Sequence, residues 1–78
     1  MIAAEKYMDL GSSVIVVGAT VLKVLQHSGV TKYDEVLERV VKVRGEHAKE
    51  TFAATLSFLF LIGKVNYLVD IDSLELNI

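Results

Sequence analysis

An uncharged apolar segment in the second half of the chain constrains the fold more than any other sequence feature. Residues 51–63 carry no charged side chain and end at Gly63, and two stretches of alternating apolar and polar residues follow. The segment is shorter than the roughly 20 residues that span a bilayer, so it predicts a buried helix stopped by glycine. The alternation over residues 64–69 and 74–78 predicts a hairpin, with residues 70–73 as its turn.

A long apolar helix is predicted upstream, over residues 12–26. Ser12 or Asp9 is a suitable N-terminal cap, and Gly29 is a suitable stop. A helix that is apolar nearly all round is expected to be buried nearly all round. Gly18 lies near its middle and either allows another helix to approach closely or has no specific role.

Two further helices are predicted, over residues 33–43 and 46–62. The first of these carries a single apolar stripe at helical spacing. The second has more apolar residues than a 3.6-residue period can place on one side. Those expected to face the other helices are Phe52, Leu56, Leu59 and Phe60, and those left over are Ala54, Phe58 and Leu61. The leftover side chains are candidates for binding a partner, unless the hairpin covers them.

The order of these elements predicts one domain over residues 1–78, mainly α with a small antiparallel β-hairpin. This is a winged-helix-like layout of three helices and a two- or three-stranded wing, in which Val30 could add a short third strand. Residues 1–8 are expected to form an N-terminal arm. That arm could be exchanged between subunits, extend the sheet of the wing as a strand, or be disordered.

The composition predicts an interaction protein of the cytoplasm. Hydrophobic residues make up 53% of the 78 residues, above the roughly 45–50% of typical globular chains, so some apolar surface is expected to meet a partner. A net charge of −2 disfavours non-specific binding to nucleic acid. The absence of cysteine favours a reducing compartment, and neither an export signal nor a membrane span is evident.

No catalytic or metal-binding pattern is found in the sequence. His27 and His47 have no ligand spacing between them, so we expect no metal, no cofactor and no enzyme activity. Asp70 and Asp72 are typical turn residues. Together with Glu75 they make the wing acidic, which suits a basic partner surface.

DNA binding is the alternative function, because the third helix of such folds often enters the major groove. The cations available for it are Arg44, His47, Lys49 and Lys64. Glu46 and Glu50 alternate with them, and carboxylates on a reading face repel phosphate. A small DNA-binding transcriptional regulator is therefore the less favoured of the two functions.

Four segments of the chain together resemble a family of bacterial proteins. They are Lys6-Tyr-Met-Asp-Leu-Gly-Ser-Ser-Val14, Tyr33-Asp-Glu-Val-Leu-Glu-Arg-Val40, Leu56-Ser-Phe-Leu-Phe-Leu-Ile-Gly-Lys64 and Asp72-Ser-Leu-Glu-Leu76. The family comprises the small middle components, of the sixth type, of ABC three-component systems. The resemblance implies a winged-helix adaptor between an ABC or SMC-like ATPase and an effector protein in anti-phage or anti-plasmid defence.

The resemblance also implies that ATPase and nuclease chemistry lie in other chains. On this hypothesis Phe58 and Leu61 dock the larger ATPase or a second copy of the chain, which would give a homodimer. DNA would be contacted only indirectly or weakly.

Overall fold

The computed structural model describes the backbone of residues 2–77 and the side chains of residues 14–77. Three helices and a three-stranded antiparallel sheet make up this part of the chain, which confirms the predicted winged-helix-like class. In chain order the elements are α1 (Ile2–Ser28), β1 (Thr31–Lys32), α2 (Tyr33–Arg44), α3 (Ala48–Leu61), β2 (Val65–Leu68), a 3-10 turn (Val69–Ile71) and β3 (Ser73–Leu76).

Helix α1 is longer than predicted. It begins at Ile2, so the predicted start at Ser12 is wrong, because the alanine, lysine and methionine residues that precede it favour helix. Residues 2–8 are its first turns, and the alternative that they extend the sheet is wrong. Met1 and the side chains of the predicted arm lie outside the described residues. The exchange of this arm between subunits stays a prediction, as does the single domain.

The length of α1 sets the shape of the molecule. Its 27 residues span about 40 Å, close to the longest dimension of 45 Å. Val17, Val21 and Leu25 enter the core, but Ile15 is 67% exposed. The expectation that this helix is buried nearly all round is therefore wrong for at least one side of it.

The sheet has the order β1-β3-β2, with β3 in the centre. Thr31 of β1 and Tyr67 of β2 both lie opposite Leu74. The third strand therefore exists, but it begins one residue after Val30, which is half-exposed. The predicted strand over residues 64–69 is too long, because the backbone turns at Val69 into the 3-10 segment.

The core lies where α1, α2 and α3 meet the inner face of the sheet. As predicted, α3 contributes Phe52, Leu56 and Leu59. Phe60 is 39% exposed, so its assignment to the core is wrong: it is only about 40° around the helix from Leu56, but the gap between the end of α3 and the edge strand β2 leaves it open to solvent. The core residues are Val17, Val21, Leu25, Val36, Val40, Ala48, Phe52, Leu56, Leu59, Val65 and Leu74.

Gly18 marks the contact between α1 and α3. A Cβ atom at this position would lie 3.5 Å from Cγ2 of Thr55 and 3.9 Å from Cδ2 of Leu59. These are ordinary van der Waals separations. The two helices are therefore in contact here, but the contact leaves room for a methyl group.

Substitution of Gly18 tests this packing. Gly18→Ala is expected to raise the free energy of unfolding by about 0.5–1 kcal/mol, because alanine restricts the unfolded chain and favours helix. Gly18→Leu is expected to lower it by about 1–3 kcal/mol through overpacking. Urea unfolding followed by circular dichroism measures both changes. Destabilisation by alanine would contradict the described separation of the helices.

Candidate partner-binding surfaces

The outer face of α3 is apolar and open to solvent. Ala54, Phe58 and Leu61 share this side of the helix, at spacings of four and three residues. All three are exposed, with Phe58 at 46% and Leu61 at 86%. The hairpin therefore leaves them uncovered. We call these three residues the α3 face.

The α3 face lies on a helix whose last three turns carry no charge. Glu50 is the last charged residue of α3, and Lys64 is the next one in the chain. The face continues into Ile62, which caps the helix and is half-exposed. Exposed apolar residues that stand together on one surface commonly mark an interaction site. A role in partner binding stays a prediction for Phe58 and Leu61.

A second surface lies between α3 and the wing. Tyr33 at the start of α2, Phe60 of α3, Tyr67 of β2 and Asp72 line an open cavity of about 320 Å³. We call it the aromatic cleft. The ring of Tyr33 packs edge-on against Phe52, with centroids 5.3 Å apart and an interplanar angle of 83°. This arrangement anchors one wall of the cleft to the core.

Asp72 is fixed in the aromatic cleft by two hydrogen bonds. Its backbone lies in the left-handed region, with φ 47° and ψ 52°, a conformation that aspartate and asparagine tolerate better than most residues. Its carbonyl oxygen accepts a bond from the backbone N–H of Tyr33 at 3.0 Å. The Tyr67 hydroxyl donates to its Oδ1 atom. The acid therefore joins α2, β2 and the turn.

The bond to Asp72 changes the acidity of Tyr67. The carboxylate accepts the phenolic proton, and a tyrosinate beside it would place two negative charges together. Both effects raise the pKa of the Tyr67 hydroxyl above its ordinary value of 10.0. The phenol therefore stays protonated, and so able to donate, throughout the physiological pH range.

The three acidic residues of the wing do not form one cluster. Asp70 lies in the 3-10 turn and is exposed. Glu75 pairs across the sheet with Asn66. It lines a different groove of about 560 Å³ together with Leu25 and Gln26. Only Asp72 borders the aromatic cleft, so a joint role of all three residues is not supported by their placement.

The cations proposed for DNA binding lie at both ends of α3. Arg44 uses its Nε–H to bond Oγ1 of Thr20 at 2.9 Å, and Lys49 lies 3.3 Å from Oε1 of Glu46. His47 lies in the turn before α3, whereas Lys64 follows the other end of the helix. The 14 residues of α3 separate these ends by about 20 Å. Lys64 is therefore remote from the other three cations, and a role of these residues in DNA binding stays a prediction.

The outer side of α2 forms a larger open groove, of about 760 Å³. Both signs of charge line it. Arg39 pairs there with Glu35 and also donates to the Ser28 hydroxyl. Mixed, solvated charges of this kind contribute little net attraction for any one ligand, so this groove is a weak candidate.

Sequence reasoning missed the aromatic cleft. Phe60 was assigned to the core, and Tyr33 and Tyr67 are far apart in the chain. The usable signal was the hairpin alternation, which places Tyr67 on the same face of the sheet as Leu74. Because β2 is an edge strand, a large side chain on that face reaches the border of the core.

Neither a metal-ligand group nor a membrane-spanning helix is present in the described part of the chain. There, no three histidine, aspartate or glutamate side chains are placed so that they could hold a metal ion. Across the same residues, no helix combines the length and hydropathy that a bilayer crossing requires.

The titration of Tyr67 tests the aromatic cleft. Asp72→Asn is expected to bring the pKa of Tyr67 back towards 10.0, because the negative charge is removed. In the native chain, the interaction with Asp72 that raises this pKa also stabilises the fold. This stabilisation is fully present below pH 10.0 and is lost as the pH rises through the pKa of Tyr67 in the folded state. Two-dimensional NMR of the tyrosine rings measures the shift. Asp70→Asn is the matched control and should leave the pKa of Tyr67 unchanged. Equal shifts of this pKa in both variants would contradict the bond between Tyr67 and Asp72.

Comparison with known proteins identifies the family. No curated protein and no solved structure matches the chain. Residues 29–77 match the family described as ABC-three component (ABC-3C) system Middle Component 8. The match includes β1, α2, α3 and the rest of the sheet, and therefore both the α3 face and the aromatic cleft. The type that matches is the eighth, whereas the resemblance named the sixth. The chain belongs to the middle components of ABC three-component systems.

Proposed function

We propose that this middle component is a non-enzymatic adaptor that uses its α3 face to bind the ABC ATPase of its system and so connects the ATPase to an effector protein. In this proposal the other components carry out the catalytic steps. The system acts in the cytoplasm, in defence against phages or plasmids. Membership of a multi-component family supports the existence of such partners.

The exposure of the α3 face is the observation that carries the proposal. Most of Leu61 and nearly half of Phe58 stay in contact with water in the isolated chain. Complete burial of a leucine or phenylalanine side chain contributes about 1.5–3 kcal/mol relative to exposure. A partner that covers both residues therefore gains much of this energy, and a small cluster of such residues commonly dominates an interface.

The rigidity of the α3 face also favours binding. Phe52, Leu56 and Leu59 hold the opposite side of the helix in the core. The exposed residues are therefore presented on a fixed helix, so that little conformational entropy is lost when a partner binds.

We prefer this function to that of a DNA-binding regulator. Arg44 and Lys49 are engaged with Thr20 and Glu46, and Lys64 is remote from them along α3. A net charge of −2 gives no long-range attraction to phosphate. Binding of duplex DNA that weakens steeply with salt and disappears in Lys49→Glu would favour the regulator.

The double substitution of Phe58 and Leu61 by aspartate tests the adaptor proposal. It places two charges where an apolar partner surface is expected to pack, and should weaken the complex with the co-purified ABC ATPase by at least about a hundredfold, since buried unpaired charges cost several kcal/mol. Isothermal titration calorimetry measures the affinity, and circular dichroism verifies that the variant stays helical.

Val43→Asp is the matched control. It introduces one aspartate, against two in the test variant, at an apolar residue of α2 that is 63% exposed and lies outside the α3 face. This variant should bind the ATPase normally. An unchanged affinity of the Phe58 and Leu61 variant would refute the assignment of the interface. If the native chain instead forms a dimer that the variant loses, as measured by light scattering, the α3 face binds a second copy rather than the ATPase.

A further inference from the structure

We propose that the aromatic cleft binds an arginine side chain of the partner protein. The inference rests on the adaptor function, and it names the chemical group that the partner contributes at a site apart from the α3 face. Four residues carry it: Tyr33, Phe60, Tyr67 and Asp72.

The composition of the cleft selects for a cation. Three of its lining residues are aromatic and the fourth is an aspartate; none carries a positive charge. The faces of aromatic rings are negative and attract cations. An aspartate beside them adds a full negative charge at the border of the cleft. An anionic ligand would be repelled by the same arrangement.

The dimensions of the cleft are sufficient for a single side chain. A cavity of about 320 Å³ is at the small end of the roughly 300–1,000 Å³ range of ligand sites. Phe60 and Tyr67, its walls from α3 and β2, are 39% and 42% exposed, so the ligand can enter from solvent without rearrangement. A protruding side chain of a docked protein fits these limits better than a cofactor.

Guanidinium suits the cleft better than ammonium. It is planar, so it stacks on aromatic rings, and it is less strongly hydrated than the ammonium of lysine. Tyr67 donates to Oδ1 of Asp72, and within the described residues no side chain donates to Oδ2. That oxygen can accept an N–H from the guanidinium while a ring contacts its flat face.

Asp72 is already held in position before a ligand binds. The bond from the Tyr33 N–H fixes its backbone, and the Tyr67 hydroxyl fixes its side chain. Tyr33 is itself locked against Phe52. A pre-organised acceptor loses less entropy on binding, which favours recognition of one side chain in one orientation.

The charge balance of the surrounding chain agrees with this ligand. From residue 51 onward the chain has a single cation, Lys64, and three anions, Asp70, Asp72 and Glu75. Lys64 is not among the residues that line the cleft. Lys32 pairs with Ser73 near the cleft but does not line it either, so Asp72 supplies the charge in the cleft, which suits a basic side chain of a partner.

Titration of the whole chain with N-acetyl-arginine amide tests the proposal directly. Two-dimensional NMR should show shifts confined to the rings of Tyr33, Phe60 and Tyr67 and to the amides around Asp72. Asp72→Asn keeps the left-handed backbone and removes the charge, and should weaken binding by about two- to fivefold or more, the range of one electrostatic contact to a cation at an exposed site. Asp70→Asn makes the same charge change in the same turn outside the cleft and should bind normally.

Three results of the titration would overturn the proposal. N-acetyl-citrulline amide has nearly the same shape without the charge, and equal shifts from it would exclude recognition of a cation. Equal weakening of arginine binding by Asp70→Asn and Asp72→Asn would mean that the ligand is attracted by the overall negative charge and not by the cleft. A stronger response to N-acetyl-lysine amide would overturn the assignment of arginine.

A second measurement separates this inference from the proposed function. Asp72→Asn should weaken the complex with the ABC ATPase, whereas Asp70→Asn should not. If the Phe58 and Leu61 variant abolishes the complex but Asp72→Asn leaves it intact, the adaptor function stands and the arginine site is refuted. If no complex forms with native protein, the adaptor function fails, and the amide titration alone decides whether the cleft binds guanidinium.

Discussion

The burial of one side of α3 is the constraint on which the rest of the structure depends. Phe52, Leu56 and Leu59 meet residues from α1, α2 and the sheet in one core. Gly18 and Thr55 lie at the contact between α1 and α3. Residues 51–63 are uncharged on every side of the helix, but the fold buries only one side of it. The segment that builds the core therefore also produces the exposed α3 face.

The wing is joined to this core by the burial of Val65 and Leu74, by the strand pairing of β3 and by the bonds of Asp72. Leu74 is fully buried and lies opposite Thr31 on one side and Tyr67 on the other. Asp72 adds the bonds to Tyr33 and Tyr67. A turn that protrudes into solvent is commonly mobile, but this one is connected to two neighbouring elements. The residues of the aromatic cleft are therefore held by the contacts that fix the turn.

The fold class could be predicted from the sequence, since its strongest signals are local. Gly63 ends α3 with positive φ, and the alternation that follows specifies β2 and β3. The predicted start of α1 is wrong because Ser12, although it could cap a helix, lies within one that begins at Ile2. Strand β1 begins at Thr31 because this residue pairs with Leu74 of β3. This pairing cannot be predicted from the sequence of β1 alone.

The candidate sites divide in the same way. Leu61 and Phe58 could be predicted as exposed, because helical periodicity alone leaves them outside the core side. The position of Phe60 depends on where the edge strand lies, and that is a property of the assembled sheet. Asp72 was identified as acidic and as a turn residue, but its bond to Tyr67 requires the hairpin to be closed. Local patterns thus predict which faces are apolar, whereas a cleft formed by three elements requires their packing.

The two surfaces share helix α3, and this has a consequence for recognition. Phe60 lies beside Leu61 in the chain but about 100° around the helix, so the aromatic cleft and the α3 face adjoin without coinciding. A partner seated on the apolar face gains most of its affinity there, because burial of apolar area is non-directional and proportional to its extent. The same surface alone discriminates poorly among apolar partners. If the cleft binds arginine as proposed, it would reject a partner that places an acid or an apolar group there, so that affinity would come from the apolar side chains of α3 and specificity mainly from Asp72 and the tyrosines of α2 and β2.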